Sequence, residues 1–249
     1  MFKIIGMSSD EIFALKVEDI NWLLTADEIV YIAKVLNSFW AYDYEAAKHG
    51  RFGKHAELKS LRHSDGFFIS RILLKEPNIR AIMANQLAMR FILQFNEHGL
   101  PKPDWIVGIP DGATELGKDV ANLMGVQYAE MKKEDGRIVM VSKMEPGETL
   151  LLVEDFCTRG TGFTEAVRDI VSKNPAAKFV PLELVIINRG GLNEIVVDGA
   201  GAFNIVAAAN HRINDWDPIE CSLCKMGSVA IKPKATDENW RDITTSQLA

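Results

Sequence analysis

Apolar residues change their period near residue 100. Before it they recur at helical spacing, and after it short apolar runs alternate with amphipathic stretches. Thr25-Ala-Asp-Glu28 is a capping box, with Thr25 at the N-cap and Glu28 three residues on. It opens a predicted helix in which Ile29, Ile32, Ala33, Leu36, Phe39 and Trp40 share one face, and which extends to Ala47 ahead of Gly50. Residues 51–70 are polar and mixed and predict no regular element. Ile79 to Asn96 reads as a second long helix, ended by His98-Gly99 and by Pro101 and Pro103.

Beyond that break, Trp105–Ile109 predicts a short buried strand, followed by the turn Pro110-Asp-Gly-Ala-Thr114 and a helix through Met124-Gly125. Gln127–Met131 and Arg137–Ser142 read as further strands. Leu150–Val153 is a strand buried on both faces, with a helix from Phe163 to Lys173 after it. The runs Phe179–Ile187 and Asn204–Ala209 complete the series. Strands alternating with helices at this spacing predict βαβ units, hence an α/β fold around a parallel sheet with right-handed crossovers. Internal repeats and low-complexity segments are absent. The polar tail from Lys232 onward predicts a surface extension.

The 249 residues suit one α/β domain with an appended piece, or two small domains, and are ample for a large core. Hydrophobic content is 47% and charged content 25%, the profile of an ordinary globular chain. A net charge of −6 without a basic block argues against nucleic acid as the partner. An anionic ligand would therefore need a local cluster of donors. No apolar run approaches the ~18 residues of a membrane span, and Met1–Asp10 lacks a signal-peptide apolar region, so the expectation is no membrane and a cytoplasmic location. Three cysteines cannot all pair, which fits a reducing compartment.

Chemistry concentrates in residues 149–163. The apolar run ends in Glu154-Asp155, followed by Thr158-Arg159-Gly160-Thr161-Gly162 and a helix. Backbone N–H groups of such a loop and of the first helical turn can cradle a phosphate. Two carboxylates can accept from vicinal sugar hydroxyls or hold a cation. The loop lacks the Gly-Lys-Ser/Thr of a P-loop, and the G-x-G-x-x-G of a dinucleotide fold is missing. Two other strand ends carry candidate loops. At the first, Asp111, Gly112 and Ala113 precede a helix N-terminus that could face a diphosphate, although Pro-Asp-Gly also forms a turn needing no ligand. At the second, Arg189 in Asn188-Arg-Gly-Gly191 could fork onto a carboxylate or form a surface ion pair.

Cys221-Ser-Leu-Cys224 has zinc-knuckle spacing. A structural zinc takes four ligands, a second Cys pair is lacking, and His211 and Asp215 are poorly spaced, so two reduced cysteines in a C-terminal turn is the favoured reading. Of the five histidines only His63 stands in a segment of functional interest.

The 149–163 segment resembles the phosphoribosyl pyrophosphate (PRPP) motif of the type I phosphoribosyltransferases. Lys59-Ser-x-Arg-x-Ser-x-x-Phe67-Phe68 is similar to the N-terminal substrate motif of the orotate members, and these elements follow the family's order across roughly residues 55–210. The resemblance implies a type I phosphoribosyltransferase-like fold. Residues 1–100 would be a helical N-terminal region and substrate hood, 101–215 the PRPP-binding α/β core, and 216–249 a C-terminal extension with Cys-x-x-Cys.

It further implies transfer of ribose 5-phosphate from PRPP to a nucleobase, orotate being favoured, with Mg2+ as cofactor and a homodimer as assembly. Glu154 and Asp155 would hold the ribose hydroxyls, Asp155 also offering itself to the metal. Thr158, Arg159, Gly160, Thr161 and Gly162 would anchor the 5′-phosphate. Asp111, Gly112, Ala113, Lys132 and the catalytic Lys133 would face the diphosphate. Lys59, Phe67, Phe68 and Arg189 would form the base pocket.

Two departures stand out. Met131-Lys-Lys-Glu-Asp-Gly136 keeps the start of the family's mobile loop but is shorter and lacks its later Lys and His. Arg159 replaces a small residue and either supplements the phosphate site or points to solvent. These departures leave open a transferase for another base, and a PRPP-binding regulatory protein with weak catalysis.

Overall fold

The computed structural model describes residues 3–248. Helices α1 (Ser9–Ala14) and α2 (Ala26–Val35) both start at capping boxes, Ser8 with Glu11 and Thr25 with Glu28. Then follow β1 (Phe39–Ala41), α3 (Tyr44–Lys48), β2 (Lys54–Glu57), β3 (His63–Ser64), β4 (Gly66–Phe68), α4 (Ser70–Leu73) and α5 (Pro77–His98). The α/β part comprises β5 (Trp105–Gly108), α6 (Thr114–Met124), β6 (Gln127–Ala129), β7 (Met131–Glu134), β8 (Arg137–Met140), β9 (Thr149–Cys157), α7 (Thr161–Lys173), β10 (Lys178–Asn188), β11 (Glu194–Val197) and β12 (Gly201–Asn210). The chain closes with β13 (Asp215–Trp216), α8 (Ser222–Met226), β14 (Val229–Ile231) and α9 (Asp237–Thr245).

The helix expected from Thr25 to Ala47 is shorter. It stops at Val35, Asn37 takes a left-handed φ of 52°, and Phe39–Ala41 pairs antiparallel with Gly66–Phe68. Phe39 and Trp40 are both buried, which a strand between two cores permits and one helix face does not. Phe39 stacks on Phe68 at 4.0 Å, while Trp40 packs on the other side.

Six strands form the central sheet in the order β11-β12-β10-β9-β5-β6; all adjacent pairs are parallel except β11–β12 at one edge. Residues alternate between its faces. Leu151, Val153, Leu184 and Ile186 meet α2, α5 and α6, whereas Leu150, Leu152 and Val185 meet Phe163, Val167 and Ile170 of α7. Glycines let α6 lie close on the sheet. A Cβ on Gly117 would come within 2.6 Å of the Gly108 Cα.

A second sheet, β13-β3-β2-β14, joins N- and C-terminal parts of the chain. Here the stretch 51–70 acquires its structure, because its partners lie more than 150 residues away in β13 and β14. The tail beyond Lys232 does more than cover the surface: α9 buries Trp240 and Ile243 against Tyr42, Phe67 and Ile69, and the indole N–H donates to the Asn37 carbonyl at 3.0 Å. Among the described residues, no helix is long and apolar enough to cross a membrane.

Candidate active site

The parallel strands bring three loops to one edge of the sheet, where ligands of such folds bind. They are residues 109–113 after β5, 158–160 after β9 and 189–193 after β10. The sequence ends the middle strand at Val153, but β9 runs on to Cys157 because β10 continues to pair with it, Glu154 opposite Val185 and Phe156 opposite Ile187. On the other side pairing stops at Gly108–Val153. Both acids therefore lie on ordered strand with one flank open to the first loop.

Missing side chains set the spacing of these loops. A Cβ on Gly112 would fall 1.9 Å from Asp155 Oδ2, and one on Gly190 would fall 1.7 Å from the Thr158 carbonyl. Gly160 has φ +66° and caps α7 in the left-handed region. The N–H groups of Thr161, Gly162 and Phe163 open that helix and have no acceptor within it. Ala113 is buried and begins α6, and the Pro110–Asp111 peptide is cis.

Alternation along β9 sends the two acids to opposite sides. Asp155 leans on Gly112 and accepts the Phe156 N–H at 2.9 Å. Glu154 turns the other way, where a Cβ on Gly162 would touch its Oε1 at 3.0 Å. There it meets Glu183 of β10, a buried acid that the sequence analysis passed over. One oxygen of each carboxyl and Cys157 Sγ lie within 4.8 Å of one another. No hydrogen-bond donor of the described residues reaches Glu154 Oε2 or either oxygen of Glu183. Burial raises the pKa of both acids, that of Glu154 well above the ordinary carboxylate range, and their proximity raises Glu154 further. Such a pair favours holding a proton.

The cations divide just as sharply. Arg189 is largely enclosed, its Cζ 5.7 Å from the Phe156 ring centre, and its Nε is buried without an acceptor. Burial lowers its pKa, opposed by Asp155 and Glu154. Lys133 Nζ stands 3.3 Å from Asp111, which is itself exposed. Lys132, one residue earlier, points to the opposite face and pairs with Glu134 at 2.6 Å. Of the two lysines assigned to the diphosphate, only Lys133 faces that loop. Its segment is a tight hairpin, β7–β8, turned at Asp135-Gly136 with both φ values positive. The hairpin is tied to α7 by the Ile138 N–H on Glu165 and the Met140 N–H on Asp169.

Arg159 pairs with Asp215 at 3.3 Å, and Asp215 also binds Arg62. This links the phosphate-type loop to the hood rather than supplementing the loop. Phe68 is a core residue between Phe39 and Phe156, whereas Phe67 faces the hood and carries Lys234 Nζ 5.7 Å above its ring. Lys59 is exposed in the turn between β2 and β3, apart from these contacts. Lys234 is the cation that sequence reasoning missed. Burial lowers its pKa, Asp155 acts against this, and Arg189, Arg71 and Lys133 add to the lowering. The C-terminal segment thus holds an exposed ammonium over the Phe67 ring, within electrostatic reach of Asp155 and Arg189.

No family model matches the chain. Over 182 residues it is 29% identical to an orotate phosphoribosyltransferase of Heliobacterium modesticaldum, covering 72% of this chain and 88% of that one. An orotate phosphoribosyltransferase of Acidithiobacillus ferrooxidans is 24% identical over 212 residues, 84% of this chain and 97% of that one. The crystal structure of orotate phosphoribosyltransferase from Aeropyrum pernix superposes with a TM-score of 0.52 at 16% identity, across 73% of this chain and 93% of that one. The chain has the fold of that orotate phosphoribosyltransferase and is similar in sequence to the curated orotate phosphoribosyltransferases. Its resemblance is to the orotate enzymes in particular, and it spans most of their length.

Against that family background, the buried acid pair has a measurable signature. The folded pKa values of Glu154 and Glu183 are raised, so the proton-bound pair favours folding below the unfolded carboxylate range, and that contribution is lost as pH rises through the folded values. Glu183→Gln should flatten the decline in melting temperature between acidic and alkaline pH. A variant whose profile runs parallel to wild type would show that the pair does not share a proton.

Proposed function

We propose that the protein transfers ribose 5-phosphate from PRPP to orotate, giving orotidine 5′-monophosphate and pyrophosphate. The observation that carries this reading is the enclosed Arg189, its guanidinium carbon 5.7 Å from the Phe156 ring centre and its Nε buried and unpaired, within electrostatic reach of Asp155. A cation so placed suits a planar acidic base, whose carboxylate a guanidinium grips through two parallel N–H bonds. A neutral purine offers it no such charge.

The rest of the site fits the donor. N–H groups at the start of α7 bind the 5′-phosphate, and that remote binding positions C1′. Asp155 accepts from the ribose hydroxyls and sets negative potential beside C1′ as positive charge develops there. Glu154, proton-bound with Glu183, acts on the ribose as a neutral partner from the α7 side. Lys133, the 110–113 loop and Lys234 receive the negative charge that builds on the departing diphosphate. Asp155 and Asp111 are hard oxygen donors on the flanks of that loop, a set suited to Mg2+ held mainly by substrate oxygens. When bound, Mg2+ would neutralise diphosphate charge. Orotate N1 bonds to C1′ as the C1′–O bond to the diphosphate breaks, and the N1 proton passes to the departing diphosphate or to water. A homodimer and a cytoplasmic location complete the reading and rest on the resemblance.

Lys234 also bears on the second reading, a PRPP-binding protein without turnover. The hairpin offers only Lys133 to the diphosphate, which favours that alternative, while Lys234 supplies a second ammonium from another segment.

A screen of nucleobases with PRPP and Mg2+, followed by pyrophosphate release, tests the function. Turnover with orotate is expected; PRPP binding without turnover on any base would favour the regulatory reading. Arg189→Ala should raise the orotate KM by about 10- to 100-fold, the range for a lost charge-assisted hydrogen bond, and leave the PRPP KM within about threefold. An unchanged orotate KM would remove Arg189 from the base pocket. Lys234→Ala should lower kcat at saturating PRPP by about tenfold or more, with Lys234→Arg recovering part of the loss. A kcat equal to wild type would leave Lys234 a spectator.

A further inference from the structure

The Cys-x-x-Cys of the C-terminal segment finds in the fold the two ligands that its sequence neighbourhood lacks. His55 on β2 and His63 on β3 stand beside Cys221 and Cys224, and one ligand atom from each of the four lies within 4.8 Å of all the others. Cys224 Sγ is 3.2 Å from His63 Nδ1 and 3.5 Å from His55 Nε2. Cys221 Sγ is 3.6 Å from His55 Nε2, and the two imidazole nitrogens are 3.0 Å apart. A tetrahedral zinc with its usual bonds to sulfur and nitrogen would set S···N edges of about 3.6 Å and an N···N edge of about 3.3 Å. The measured edges match these within a few tenths of an ångström.

We infer that His55, His63, Cys221 and Cys224 form a structural Zn2+ site that joins the N-terminal hood to the C-terminal segment. The surroundings are those of a built site. His55, Cys221 and His63 are buried at 0%, 0% and 9% exposure. His55 Nδ1 lies 2.9 Å from Ser228 Oγ, and the Ser228 hydroxyl donates to the Gly53 carbonyl at 3.2 Å. With that hydroxyl proton committed to Gly53, Ser228 Oγ accepts from His55 Nδ1–H. This fixes the tautomer in which Nε2 presents its lone pair to the other three ligands. The Cys224 N–H donates to Cys221 Sγ at 3.5 Å, which supports a thiolate there. A hydrogen bond from His63 to His55 would account for the imidazole contact alone. It would leave unexplained why both sulfurs converge on the same point.

Four protein ligands leave no open position, so the metal is structural rather than catalytic. It would fasten α8 to β2 and β3, beside the pairing of β14 with β2, and so hold the segment that carries Lys234. The site itself is independent of the proposed reaction, because its residues are separate from those assigned to PRPP and base.

Metal analysis of the full chain, purified without chelator from zinc-supplemented medium, tests it. About one zinc per chain is expected. Cys221→Ser/Cys224→Ser should retain less than about a tenth of that, while His98→Asn, an exposed histidine outside the cluster, should retain all of it. Replacement of zinc by Co2+ should give the visible bands of tetrahedral cobalt and a thiolate charge-transfer band, a readout on wild type that holds even if the double variant does not fold. Zinc near zero in wild type, an octahedral cobalt spectrum, or a Cys221–Cys224 disulfide in the purified protein would each overturn the site. Loss of zinc with orotate turnover intact would confirm the metal and limit its role to stability. Zinc present without turnover would leave the site standing while the function falls.

Discussion

Three loops can meet at the end of β9 only because no side chain stands between them. Gly112 lies where a Cβ would run into the Asp155 carboxylate, Gly190 where one would enter the Thr158 carbonyl, and Gly162 where one would touch Glu154. Gly112 and Gly162 bring their segments against the two acids, and Gly190 brings the loop after β10 against the loop after β9. The parallel sheet supplies the common edge, and the glycines allow the loops to close over it. A helix start with free N–H groups, the Asp155 carboxylate and the Arg189 guanidinium then share one cleft. No single loop could assemble that combination.

Charge in the cleft is graded by burial. Glu154 and Glu183 lie out of water without donors, so the cost of ionising them exceeds what distant cations return, and a proton stays with the pair. Asp155 is partly open and lies where a cationic ribose centre would form. Arg189 is desolvated and drawn to it, and the exposed Lys234 adds its attraction from the C-terminal segment. Opposite charges held within one partly dry cleft are prearranged for a reaction that separates charge, which is where fixed dipoles and ions contribute most to rate.

Local signals in the sequence were sufficient for the sheet. The capping box at Thr25, the apolar run before Glu154-Asp155 and the breaks at Gly99 and Gly125 each act within a few residues, and they mark where elements begin or break, although α2 stops at Val35 instead of Ala47 and β9 runs on to Cys157. The hood was not legible, because β2 and β3 are short and their partners β13 and β14 are distant in sequence. The same distance hid the histidine pair from the cysteine pair. Glu183 left a trace, a lone acid inside the apolar run Phe179–Ile187, but its meeting with Glu154 depends on the register of β9 and β10. Lys234 left none, since a lysine in a polar tail looks like solvated surface until α9 docks and carries its segment over Phe67. Lys132 and Lys133 show the converse. They read alike in sequence, and strand alternation alone separates the one facing the diphosphate loop from the one paired with Glu134.

The most direct measurement is a crystal structure of the protein with PRPP and Mg2+. The ribose hydroxyls should lie within hydrogen-bonding distance of Asp155, with the 5′-phosphate on the N–H groups of residues 160–163 and the diphosphate against residues 110–113. Donor density away from the end of β9, or none at saturating concentration, would contradict the account.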